Sequence, residues 1–190
     1  MYQALLKDAR FQQLLFAFDA DLAAEARAGR CVLCRSAMHW GNYWRKLRGP
    51  LARLLPEEYC CRFSICCARR DCRKRKTPPS LRFLGRKAYL AAMVVLIATM
   101  QHGATAVRVQ KLSEMFGVSR RTVARWRTWW LTAFAASRFW QTARALFMPP
   151  VDQGCLPASL LERFAGLEKR LVALLRFLGP ITGGAAVHAA

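Results

Sequence analysis

The sequence predicts a mainly α protein in which a small β zinc ribbon follows an N-terminal helix and precedes a helical helix-turn-helix domain. Three observations lead there. Seven of the eight cysteines lie between Cys31 and Cys72, apolar residues recur at helical spacing near both ends, and a glycine-centred two-helix pattern runs from Val109 to Trp126. The chain divides on this reading into a helix (1–29), a ribbon-like module (30–76), a basic proline linker (77–84), a helix-turn-helix domain (85–150), and a C-terminal helix with a loose tail (151–190).

Residues 3–28 have the spacing of one amphipathic helix, with Leu5, Leu14, Leu15 and Phe18 among its apolar positions. Lys7, Asp8 and Arg10 interrupt the start, so no secretory leader is expected and the protein is expected in the cytoplasm, associated with the nucleoid.

The next module is organised by thiols. Cys31-Val-Leu-Cys34 is one chelating pair and Cys67-Ala-Arg-Arg-Asp-Cys72 a second, and two short loops carrying two thiolates each can supply the tetrahedral corners that Zn(2+) requires. Cys31, Cys34, Cys67 and Cys72 are therefore the expected metal ligands. Cys66, beside Cys67, and His39, between the pairs, are the alternatives. An intracellular chain argues against reading these cysteines as disulfides. His39 to Pro50 reads as strand and turn, and Tyr59, Cys61, Phe63 and Ile65 alternate as one strand should, which makes Cys60 and Cys61 structural.

Arg69 to Arg82 reads RRDCRKRKTPPSLR, which predicts an extended, solvated arm, with Arg73, Lys74, Arg75 and Lys76 lying along phosphates or in a minor groove. Arg86 to Gln101 predicts an apolar helix; its run from Ala88 to Met100 is well short of the roughly 20 residues that span a bilayer. In the stretch that follows, Leu112 and Phe116 share a helix face, Gly117 allows a tight turn and Val118 plugs it. Ser119 can cap the second helix, whose Val123 and Trp126 point back to the same core. This is a helix-turn-helix pattern. The start of its second helix would reach the major groove, which makes Ser119, Arg120, Arg121 and Arg125 the expected base and phosphate contacts and Thr122 a further phosphate contact. Trp126, Trp129 and Trp130 are expected in the packing. Leu160, Phe164, Leu167, Leu171, Leu174 and Leu178 form a heptad-like stripe that suits either the protein's own core or a homodimer, and residues 179–190 read as a loose tail.

The net charge of +20 over 190 residues is local. Residues 30–90 hold sixteen basic and three acidic side chains and residues 91–150 hold eight and one, while both ends are nearly neutral. One-signed charge points to a polyanion, and the 54% hydrophobic content excludes a disordered basic tail.

Cys31-x2-Cys34, the stretch RFSICCARRDCRKRKTPPSLRFLGR from Arg62 to Arg86, and LSEMFGVSRRTVARW from Leu112 to Trp126 resemble the transposase-associated DNA-binding proteins of bacterial insertion sequences. Together these motifs cover about half of the chain. The resemblance implies sequence-selective binding of double-stranded DNA, with the four cysteines as zinc ligands and Ser119, Arg120, Arg121 and Arg125 reading the element's ends. A transposase of the acidic-triad type needs three convergent carboxylates. Here Asp8, Asp19, Asp21 and Glu25 share one predicted helix and the others are scattered, and no recombinase nucleophile set is recognisable. The expectation is a non-enzymatic accessory protein that works with a separately encoded transposase. RNA binding, nonspecific nucleic-acid binding and transcriptional regulation are the alternatives.

Overall fold

The computed structural model describes residues 2–85 and 87–183. It is mainly helical, with two small antiparallel sheets.

The N-terminal segment is two helices rather than the one expected. Asp8 leaves helical geometry (φ −69°, ψ 117°) and its carboxylate accepts the Arg10 amide at 2.8 Å, which ends α1 (Tyr2–Lys7) and caps α2 (Ala9–Ala28). The inward row of α2 is Phe11, Leu15, Asp19 and Ala23, each four residues on, whereas Leu14 is exposed.

The sheets form mostly where strand and turn were expected, with one correction, and the last strand lies in the segment expected as a solvated arm. β1 (Met38–Trp40) pairs with β4 (Ile65–Cys67), and β4 with β5 (Arg75–Lys76); β2 (Tyr43–Trp44) pairs with β3 (Cys61–Arg62). The single strand expected over residues 58–65 does not exist. Glu57–Cys60 is a 3-10 turn, and the extended run is interrupted at Ser64, whose amide bonds the Asn42 side chain (3.0 Å) while its carbonyl takes the Gly41 amide (2.8 Å). Alternation fails because Arg62 and Ser64 are buried as well as Tyr59 and Ile65.

The second half of the expected linker is core. Ser80, Leu81, Arg82, Phe83 and Leu84 are all buried, and the Arg82 guanidinium donates to Asp19 (Nε to Oδ2, 2.8 Å) and to the Tyr59 and Cys61 carbonyls (2.7 and 3.0 Å). Asp19 also accepts the Leu81 amide and the Ser80 hydroxyl. Arg62, equally buried, donates to the Pro78 and Thr182 carbonyls. These bonds tie the first sheets to α2 and to the C-terminal segment.

The apolar helix α3 (Ala91–Met100) starts later than the expected Arg86, which lies outside the described residues. The reason is competition for carbonyls: Arg45 holds those of Gly85 and Lys87, the Arg48 amide holds that of Ala88, and Gly85 has a φ of +57°. From Ala91 to Ala98 every residue of α3 is buried. Around it pack α4 (Ala106–Phe116), α5 (Arg120–Trp129), a π turn at Trp130–Phe134, α6 (Arg138–Ala143), α7 (Ala158–Leu161) and α8 (Leu167–Phe177). Trp126 and Trp130 are buried and Trp129 half-buried, as expected. One contiguous core runs from Leu6 to Ile181, so the expected helical segments share it.

The leucine stripe is interrupted between Leu161 and Leu167, and Leu160, Leu171, Leu174 and Leu178 are fully buried within the chain, leaving none of these four for a second copy. The expected loose tail begins docked. Gly179–Ile181 forms a turn, and Thr182 accepts the Ser80 amide through Oγ1 (2.7 Å); residues 184–190 lie outside the described part.

Candidate metal centre and basic face

Four sulfurs converge beside the first sheet. The thiols of Cys31, Cys34, Cys67 and Cys72 all lie within 4.8 Å of one another, and among the described residues no other group of three or more Cys, His, Asp or Glu side chains meets in this way. Two of the spacings, Cys31 to Cys72 at 3.7 Å and Cys34 to Cys67 at 3.4 Å, are far longer than the roughly 2.05 Å of a disulfide. They are close to the edges of about 3.8 Å in a tetrahedron with metal–sulfur bonds of about 2.3 Å. The cluster could hold a metal ion.

The two loops that carry the thiols are built alike. In the first, the Cys31 amide donates to the Ser36 carbonyl (2.9 Å) and the Arg35 amide to the Cys31 carbonyl (2.9 Å). In the second, the Cys67 amide donates to the Lys74 carbonyl (2.9 Å) and the Arg73 amide to the Arg69 carbonyl (3.0 Å). The Arg35 and Arg73 bonds connect the same places relative to the closing cysteine, and the other two share their acceptor, two residues after it, but start three residues before Cys34 and five before Cys72. A backbone N–H near each sulfur bears on its acidity: those of Cys34 and Leu33 for Cys31, Ser36 for Cys34, Arg69 for Cys67 and Lys74 for Cys72.

Such donors favour thiolate, the form that binds metal. The Cys34 and Leu33 amides bring Cys31 below the ordinary thiol range, and the Ser36 hydroxyl and amide bring Cys34 down to about 6. Burial wins at Cys67, pushed up to about 12. At Cys72 the Lys74 amide is the largest single influence and lowers the thiol, but burial and the Cys34 and Cys31 sulfurs together leave it raised.

The alternatives to this set are placed elsewhere. In the β1–β4 register Met38 faces Cys67 and His39 faces Cys66, and neighbouring strand residues point to opposite sides. Cys67 therefore joins Met38 and Ile65 in a small core with Cys31, while His39 is exposed and the Cys66 thiol donates to the Arg73 carbonyl at 3.3 Å. Cys60 and Cys61 stay outside the cluster, where burial raises both thiols.

The basic side chains separate into two groups. Arg73, Lys74, Arg75 and Lys76 are exposed, the last two as the edge strand β5. Arg62 and Arg82, which the charge pattern also assigned to the polyanion, are interior. Among the described residues the only ion pairs are Arg69–Asp71 and Arg82–Asp19, so the exposed arm carries no carboxylate partner beyond Asp71.

Farther along, α4 ends at Gly117 (φ +57°, ψ +37°), whose amide returns to Glu114 while the Val118 amide returns to Ser113. Ser119 then caps α5 by accepting the Thr122 amide. Leu112, Phe116, Val118, Val123 and Trp126 are buried together, and Arg120, Arg121, Arg125 and Arg127 are exposed. Thr122 sits differently from these arginines. It is buried, and its hydroxyl is engaged by Ser119 (3.0 Å) and accepts from Arg125 (3.2 Å).

Compared with known proteins, the chain matches no family model, no curated protein and no solved structure.

The sequence places Pro50 in a turn but not against the α4–α5 junction: a Cβ built on Gly117 would stand 2.9 Å from Pro50 Cδ. Residues 47–53 therefore rest against the junction of α4 and α5. The signal was the Gly49-Pro50 pair, a turn marker closing the stretch read as strand and turn, which says nothing of what the turn packs against. Arg35 was passed over; its left-handed backbone (φ +60°) leaves no mark in composition.

Proposed function

We propose that this protein binds double-stranded DNA with sequence selectivity, using α4 and α5 as a helix-turn-helix and the four-cysteine module as a zinc ribbon. The observation that carries the reading is the build of the α4–α5 pair. A left-handed glycine, a buried plug at Val118 and a serine cap hold α5 so that Arg120, Arg121 and Arg125 project from one exposed face while the opposite face is core. Arginines at the start of a rigid helix suit the O6 and N7 acceptors of guanine in the major groove. Four convergent thiols favour zinc over harder cations. The exposed Arg73 to Lys76 segment supplies phosphate contacts that add affinity without sequence information. In keeping with the resemblance to insertion-sequence proteins, the role is a non-catalytic one alongside a separately encoded transposase.

Binding-site selection from random duplex, at fixed salt, tests this. An enriched motif that Arg121→Ala relaxes is expected, and equal affinity for selected and random duplex would overturn the reading. One zinc per chain, lost in Cys34→Ser, is the expected metal result. A second reading has its own support. Trp44 and Trp40 stay 60% and 45% exposed, as stacking platforms for unpaired bases would be. Stronger competition by single-stranded RNA than by duplex would favour it.

A further inference from the structure

Arg35 and Arg73 are the two non-glycine residues with positive φ among the described residues, at +60° and +44°. They occupy the same place in two matching loops, immediately after Cys34 and Cys72, with the same backbone hydrogen bond to the residue four earlier. A left-handed position in a tight loop is where glycine fits without strain. A side chain kept at both positions, against the preference of the backbone, points to a role for the side chain itself. Both are arginine and exposed, and neither has a carboxylate partner among the described residues. Fixed loops hold the base of each guanidinium stem while the head remains free.

We infer that Arg35 and Arg73 are a matched pair of backbone-phosphate contacts for duplex DNA, one presented by each cysteine loop. The inference rests on the nucleic-acid reading above and adds Arg35 to the contact surface. It also gives the metal centre a function beyond holding the fold: by fixing both loops to one centre, the four thiols set the spacing of two cationic contacts, which a flexible arm would not do.

The test uses the full chain with Arg35→Gly, Arg73→Gly and the double variant, measuring bound zinc, thermal midpoint and affinity for random-sequence duplex across salt. Glycine suits the left-handed backbone, so zinc should be retained and the midpoint unchanged or raised. Each lost phosphate contact should cut the slope of log K against log salt by about 0.9 and weaken binding about eightfold at 0.1 M salt. Arg35→Lys should restore most of that charge-dependent binding. Unchanged affinity and slope in glycine variants that keep their zinc would overturn the inference. So would loss of zinc or of stability, because the arginines would then be structural. If the unmodified chain shows no duplex binding at all, the functional reading itself fails, which is a different result from normal binding that the substitutions leave untouched.

Discussion

Asp19→Asn should be among the most damaging single-atom changes in this chain. The Asp19 carboxylate is buried and accepts from the Leu81 amide (2.6 Å), the Ser80 hydroxyl and Arg82 Nε (2.8 Å), and the Arg82 side chain is itself fully buried. The amide keeps one acceptor oxygen but removes the negative charge and turns an N–H donor toward a cation or a hydroxyl. Leaving a buried guanidinium unpaired costs about 3–5 kcal/mol. In a domain of this size each kcal/mol moves the melting midpoint by about 2–4 °C, so the drop should lie on the order of 6–20 °C. Thermal and urea unfolding followed by circular dichroism measure it. Should Asp19→Asn not fold, Asp19→Glu gives a second readout, since the charge is kept and only the geometry is strained. A cycle with Arg82→Met isolates the pair, and the double variant should cost at least about 1 kcal/mol less than the two single variants summed. A loss below about 1 kcal/mol, the size of an exposed ion pair, would refute the reasoning.

Gly117→Ala should destabilise by about 1–3 kcal/mol, from the positive φ and from the clash with Pro50, and Pro50→Ala should recover the steric part in a chemical-denaturation comparison. Zinc uptake should release about two to three protons per ion near neutral pH, because Cys67 and Cys72 bind theirs more tightly than an ordinary thiol while Cys34, at about 6, has lost its own. Metal affinity should accordingly fall as pH drops, and titration calorimetry in buffers of different ionisation enthalpy counts the protons. Leu174→Ala should cost about 2–5 kcal/mol at any protein concentration, and a stability that varies with concentration would show a shared interface instead.

The parts of this protein that could be read in advance are those whose determinants lie within a few residues of one another. The chelating pairs Cys31/Cys34 and Cys67/Cys72 are each closed by a short loop, and the α4–α5 junction is specified by Gly117, Val118 and Ser119 in a row. Cys66 and Cys67 could not be separated that way, because the choice depends on which side of β4 meets Met38, a fact of register between strands 27 residues apart in sequence. The leucine stripe shows the same division, since periodicity identifies one apolar face of a helix and says nothing of what covers it.

Charge was the least local quantity of all, and its misreading has a functional consequence. Arg62 and Arg82 entered the basic total as though exposed, yet Arg82 is neutralised by Asp19 sixty-three residues away and Arg62 is spent on the carbonyls of Pro78 and Thr182. Arg45, half-buried, holds the carbonyls that delay the start of α3. Three of the sixteen basic residues between 30 and 90 therefore build the interior that fixes the four-cysteine module to the helices, and cannot contribute to polyanion binding. Of the rest, Arg35, Arg69, Arg70 and Arg73 to Lys76 on the cysteine loops and β5, with Arg120, Arg121, Arg125 and Arg127 on α5, form two exposed clusters, so the salt dependence of binding should report far fewer contacts than the net charge of +20 suggests.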